Sequence, residues 1–203
     1  MKRVVKKIAA LFFFTVFFIL FSFLVLIGGK GNSNSIAEET NVEVITAAGE
    51  FVGPYENDNY VITSDVGDRA LDGMHMGMDL DAGYGAKIIA LTDAVVYRAS
   101  NTCEPSGGYL GNWCPFDNVA SGGGNYVILK FYYEDQDYYM QYAHLATVAV
   151  KTGDMVKKGQ VIGTQGHSGN STGSHLHAEV HYGGVYAGST INWVTPRTFL
   201  EFK

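Results

Sequence analysis

The histidine and carboxylate spacing of this chain points first to metal chemistry. His175 and His177 stand one residue apart in Gly173-Ser174-His175-Leu176-His177-Ala178-Glu179-Val180. Side chains alternate along a strand, so the two imidazoles share one face, about 7 Å apart, and Leu176, Ala178 and Val180 share the other. Taken alone, such a pair also fits two exposed histidines. His75 and Asp79 lie in Gly73-Met74-His75-Met76-Gly77-Met78-Asp79-Leu80. On a straight strand they would be about 13 Å apart. They can share an ion only if the chain bends, and Gly77 permits a bend. Two imidazoles and one carboxylate drawn from these two segments make three protein ligands with a fourth position left for water. That is the open pattern of a catalytic zinc site.

Short strands must position these residues. From about Tyr60 the chain runs in β-branched and aromatic segments such as Lys87–Ala90, Ala94–Arg98, Asn125–Phe131 and Tyr138–Tyr142, separated by Gly and Asp. Segments of this length and composition read as strands. No amphipathic helix longer than two turns is evident, and the connections are too short for crossover helices. The fold class is therefore mostly β, with antiparallel sheet.

The N-terminus has a different texture. Lys2, Arg3, Lys6 and Lys7 precede an apolar run from Ile8 to Ile27. About 20 apolar residues in a helix span a bilayer, and the basic flank stays in the cytoplasm. Residues 1–30 are read as one N-terminal transmembrane helix serving as a membrane anchor, with a cleaved signal peptide as the alternative. Residues 31–59, beginning Gly31-Asn32-Ser33-Asn34-Ser35, read as a flexible spacer. After position 30 the chain carries 20 acidic residues against 9 basic ones. That balance argues against a nucleic-acid partner. Cys103 and Cys114, in an exported domain, pair as a disulfide across a loop rich in glycine; two metal-binding thiolates are the competing reading.

Three motifs together, His75-x-Gly-x-Asp79, Tyr142-Ala143-His144-Leu145 and Gly173-Ser174-His175-Leu176-His177, resemble the lysostaphin/LytM-type zinc endopeptidases. Gly153–Gly163 is similar to that family's turn and strand before its last motif, and Ile62–Arg69 to its opening strand. The resemblance runs from Tyr60 to Leu200. It implies an antiparallel duplicated hybrid motif domain over residues 60–203, with one zinc ion. By position, His75, Asp79 and His177 correspond to the metal ligands, and His144 and His175 to the catalytic histidines. It further implies hydrolysis of peptide cross-links or stem peptides of bacterial peptidoglycan by a domain held outside the cell membrane. The alternative is a non-catalytic wall-binding or regulatory module using the same groove; the full set of five residues argues against it.

Outside the five, His167 reads as a turn residue and His181 as surface or outer-shell, while Glu179 could orient a ligand imidazole. Ser100–Gly124 is longer than the loop the resemblance implies, and either borders the groove or is an insertion without a role. The bond that is cut, the identity of the base, and any regulatory or machinery partner stay open at this level.

Overall fold

The computed structural model describes residues 51–69, 73–104, 122–185 and 192–200, all within a compact unit spanning Glu43–Lys203. The residues read as a membrane anchor lie outside this set, as do Cys114 and most of the loop that carries it. Among the described residues, no helix is long and apolar enough to cross a membrane.

The described residues form thirteen strands: β1 (Val61–Ser64), β2 (Gly67–Arg69), β3 (Gly73–His75), β4 (Met78–Asp81), β5 (Lys87–Ile89), β6 (Ala94–Ser100), β7 (Tyr126–Tyr133), β8 (Gln136–Ala143), β9 (Leu145–Val148), β10 (Met155–Val156), β11 (Val161–Gln165), β12 (Leu176–Tyr182) and β13 (Trp193–Val194). One 3-10 turn, Pro196–Thr198, follows; Thr195 caps it and Pro196 supplies a pre-set φ at its start. An antiparallel sheet runs β1-β4-β12-β8-β7-β6-β10, with β13 also on β12. A second sheet is β5-β11-β9, and β2 and β3 form a hairpin. The mostly β, antiparallel expectation holds, and each of the four segments picked out by composition falls on a strand.

Alternation along β12 and β8 builds the core. Leu176, Ala178 and Val180 are fully buried on one face of β12, opposite Met140 and Tyr142 of β8 and Leu80 of β4. Burying a side chain of the size of Leu80 or Leu176 is worth roughly 1.5–3 kcal/mol. Phe51, Phe131, Tyr138 and Phe199 extend this core as a cluster of rings with centroids 4.7–5.7 Å apart. Phe51 lies in the stretch that composition reads as spacer. So does Tyr55, whose hydroxyl donates to the Gln165 side-chain oxygen at 2.6 Å and lies 3.0 Å from the Leu80 carbonyl. Residues 51–59 therefore belong to the packed unit, because two of their aromatics are core residues.

Two departures from regular strand place the site. The segment Ile62–Arg69 is two strands, broken at Asp65-Val66. Likewise, β3 and β4 are separated by Met76-Gly77. Each break turns a backbone or side chain toward His75.

Candidate active site

The break at Met76-Gly77 folds β4 back so that His75 and Asp79 meet. His75 Nε2 is 3.1 Å from Asp79 Oδ1, and β12 lies on β4 with His177 opposite Asp79. His177 Nδ1 is then 3.0 Å from the same oxygen and 3.2 Å from His75 Nε2. Gly77 is required for space rather than for its dihedrals. A Cβ there would lie 2.5 Å from the Ala178 carbonyl and 2.5 Å from the His177 ring.

The rear nitrogen of each imidazole fixes which nitrogen faces inward. His75 Nδ1 donates to the Asp65 carbonyl at 2.9 Å, leaving the lone pair of Nε2 toward the centre. The Arg197 guanidinium grips the Asp65 carboxylate at 2.6 Å and steadies that acceptor. His177 Nε2 donates to Glu179 Oε2 at 3.3 Å, leaving Nδ1 inward. Glu179 is 3% exposed and also accepts from His181 Nε2 at 2.6 Å. The Trp193 indole donates to the Met76 carbonyl and so ties down the bend between the two clustered residues.

Two lone pairs and a carboxylate oxygen thus converge at 3.0–3.2 Å. Three acceptors this close repel unless a cation lies among them. Tetrahedral zinc with ligands at about 2.0–2.1 Å spaces them about 3.3–3.4 Å apart. The triangle matches one face of such a site, so His75, Asp79 and His177 can hold the ion. Without a metal, a proton takes that role. Burial opposes the charge, yet the hydrogen bonds to Asp79 and Glu179 raise His177 to about 9. Burial also opposes ionisation of Asp79, and the same imidazoles hold it far below the usual carboxylate range. Against its burial, His177 and His181 pull Glu179 down to about 2.

His144 and His175 flank the triangle. His144 sits at the β8–β9 corner with φ +62°, a conformation uncommon outside glycine. Its Nδ1 donates to the Ser168 carbonyl at 2.8 Å. His175 Nδ1 donates to the Gly173 carbonyl at 2.9 Å, and its Nε2 is 3.6 Å from Asp79 Oδ1. The two rings are 4.7 Å apart, and His144 is 5.9 Å from His177. Burial first, and then His175 and His177, push His144 down to about 3, so it is neutral at ordinary pH. A cavity of about 400 Å³, lined by Thr63, Ser64, Asp79, Thr172, Gly173, Ser174 and His175, opens beside this group. Gln165 braces its wall, donating to Asp81 Oδ1 at 2.7 Å and Ser174 Oγ at 3.0 Å.

The five residues singled out in the sequence are thus brought to one place. Of the two readings of His181, on the surface or behind the site, the structure shows the second: it is 1% exposed and donates to Glu179, which also accepts from His177. His167 is buried, with Nε2 donating to the Ser171 carbonyl at 3.2 Å. The acceptors on Asp65, Ser168 and Gly173 are backbone carbonyls that no side-chain motif announces. Trp193 carried no spacing signal.

Residues 73–189 match Peptidase family M23. The chain belongs to this metallopeptidase family. Peptidoglycan DD-endopeptidase ShyC of Vibrio cholerae is 35% identical over 112 residues, 55% of this chain and 21% of that protein. Lysostaphin of Staphylococcus simulans is 34% identical over 106 residues, 52% of this chain and 17% of its own length. The murein hydrolase activator NlpD of Escherichia coli is 33% identical over 115 residues, 57% of this chain and 25% of that protein. Among solved structures, the lysostaphin catalytic domain superposes with a TM-score of 0.53 at 30% identity, covering 70% of this chain and 92% of that domain. The matches therefore span a quarter or less of these three curated relatives, while the solved domain is covered almost whole.

Proposed function

We propose that this M23 chain is a zinc-dependent endopeptidase that cuts peptide links in bacterial peptidoglycan. The observation that carries the reading is the triangle of His75, Asp79 and His177 at 3.0–3.2 Å, flanked by two imidazoles with inward-facing Nε2 atoms. When bound by these three residues, zinc would supply Lewis acidity to a water and to the scissile carbonyl. The chain's own part is proton movement and positioning. His144 and His175 each have Nδ1–H committed to a carbonyl, so each presents an Nε2 lone pair able to accept a proton. One accepts the water's proton at Nε2, and that same proton, held by either imidazole, is then donated to the leaving amine, which returns both rings to the neutral form. The cavity between Thr63-Ser64 and Thr172–Ser174 receives the peptide.

The likeness to ShyC and lysostaphin supports a wall substrate, and the likeness to NlpD supports a regulatory partner as a second element of its biology. The apolar run Ile8–Ile27 supports an anchor that holds the domain outside the cytoplasm. A bridge from buried Cys103 to Cys114 would stiffen the intervening loop.

The test is incubation of the purified full chain with wall sacculi, with chelator and zinc add-back arms. Mass spectrometry of the released fragments identifies new amine and carboxyl termini. Zinc-dependent release is expected; binding to sacculi without release, at full zinc loading, would replace this reading with the non-catalytic one.

A further inference from the structure

We propose that Asn125 is a positioning residue for His144, joining the root of the inserted loop at Cys103 to the proton-transfer machinery. The role assigned to His144 rests on the function proposed above. Asn125 is fully buried, and all of its polar groups are engaged. Its Oδ1 accepts from the Cys103 N–H at 2.8 Å, and its Nδ2 donates to the Cys103 carbonyl at 2.8 Å. One amide thus pairs both ways with one backbone unit, as a neighbouring strand would. The same Nδ2 donates to the Leu145 carbonyl at 3.2 Å.

The connection continues to the imidazole in two steps. The Asn125 N–H donates to Ser168 Oγ at 2.9 Å, and that hydroxyl donates to the Leu145 carbonyl at 2.8 Å. Ser168 then presents its own carbonyl to His144 Nδ1 at 2.8 Å. The backbone around His144 is held from the same side: its N–H donates to the Gly123 carbonyl at 2.7 Å, and the Leu145 N–H donates to the Asn125 carbonyl at 2.9 Å. These bonds over-determine the left-handed backbone of His144, and strained residues at functional sites persist only under such support. Gly124 and Gly169 let the two segments touch, since a Cβ on either would fall 2.4 Å from backbone of the other segment. None of the three residues of the metal triangle belongs to this set. Loss of the strut should therefore unfix the His144 tautomer and ring while leaving the metal in place.

Asn125→Asp keeps the shape and removes the amide donor, and Asn125→Ala removes both. Ser168→Ala leaves the carbonyl and removes only the hydroxyl link. Each full-length variant is loaded with zinc and compared with wild type by imidazole nitrogen NMR and by kinetics on wall fragments. In wild type, His144 carries its proton on Nδ1 alone. In the Asn125 variants mixed tautomers are expected, with kcat down about 10- to 100-fold, part of the usual contribution of a general acid or base, and with KM and zinc content within twofold. Ser168→Ala should show the same change to a lesser degree, and decides the matter if the Asn125 variants do not fold. A wild-type tautomer and unchanged kcat in Ser168→Ala, or in folded Asn125→Asp, would overturn the proposal. The NMR readout needs no turnover, so it judges the strut even if the peptidase reading fails on sacculi.

Discussion

Gly77→Ala puts the metal triangle under the most direct strain. The added Cβ would sit 2.5 Å from the Ala178 carbonyl, 2.5 Å from His177 Cε1 and 2.6 Å from His177 Nε2. Ordinary contact begins near 3.4 Å, so a gap of about 1 Å must open, at an overpacking cost of roughly 1–3 kcal/mol. The Ala178 backbone belongs to the β4–β12 ladder, opposite Met78, and moves only if that pairing loosens. The His177 ring must then shift. Metal sites tolerate about ±0.2 Å in ligand distance. A displacement near 1 Å therefore removes His177 from the 3.0–3.2 Å triangle. Zinc affinity should fall at least 100-fold, or about 2.8 kcal/mol at about 1.4 kcal/mol per tenfold. The metal-free protein should melt about 2–12 °C lower, at about 2–4 °C per kcal/mol for a domain of this size.

The assay is competition for zinc against a chromophoric chelator, with metal content after dialysis and a melting curve. Gly173→Ala is the control. Gly173 also lines the site, but a Cβ there meets nothing within 4 Å, so zinc affinity should be unchanged. Stoichiometric zinc binding by Gly77→Ala, within threefold of the wild-type affinity, would show that the close approach of β4 to the His177 ring does not set the site.

His75→Ala and His177→Ala should lose bound zinc and turnover together, whereas His175→Ala should keep zinc and lose about 100- to 10,000-fold in kcat; metal analysis beside kinetics distinguishes them, and the opposite pattern for His175 and His177 would exchange their roles. Glu179→Gln should weaken zinc about 10- to 100-fold by removing the buried carboxylate behind His177, as measured by the same chelator competition. In the metal-free protein His177 is raised to about 9, so its stabilisation is complete below about pH 6.5 and is lost as pH rises through about 9. Zinc competes with that proton, and its apparent affinity should rise about tenfold per pH unit up to about pH 9 and then level off; calorimetry should register one proton released per zinc below that pH.

The site was legible wherever side-chain identity and strand periodicity decide it. His175-Leu176-His177 alternates as written, with Leu176 in the core and both imidazoles at the metal face. The His75–Asp79 spacing demanded a bend, and the bend is there. The reason for Gly77 was less visible: its φ is not in the left-handed region, and a sequence does not show that His177, 100 residues later, packs on its Cα. Backbone acceptors were invisible for a related cause. The carbonyls of Asp65, Ser168 and Gly173 act by position, and any residue carries a carbonyl. Composition also assigned residues 51–59 to a spacer, because Phe51 and Tyr55 stand in a stretch without sustained periodicity and their partners Phe131, Phe199 and Gln165 are distant in sequence.

On the function proposed above, one residue type serves two purposes, and the geometry offers a way to sort them. Each of the four imidazoles has one nitrogen committed to an acceptor behind it: Asp65, Ser168 and Gly173 carbonyls for His75, His144 and His175, and the Glu179 carboxylate for His177. A committed rear nitrogen makes every inward nitrogen a lone pair, so tautomer alone cannot separate ligand from proton carrier. Distance to the Asp79 oxygen does. His75 and His177 stand at 3.1 and 3.0 Å, close enough to share an ion with it, and His175 stands at 3.6 Å. His144, with its left-handed backbone at the β8–β9 corner, has its ring centroid 5.9 Å from that of His177. On the proposed reading, the division of labour follows from where β3, β4, β12 and that corner place each Cα; the acceptors behind His144 and His175 are neutral carbonyls, so protonation of His144 is opposed by burial and by the neighbouring imidazoles and not by the group that fixes its tautomer.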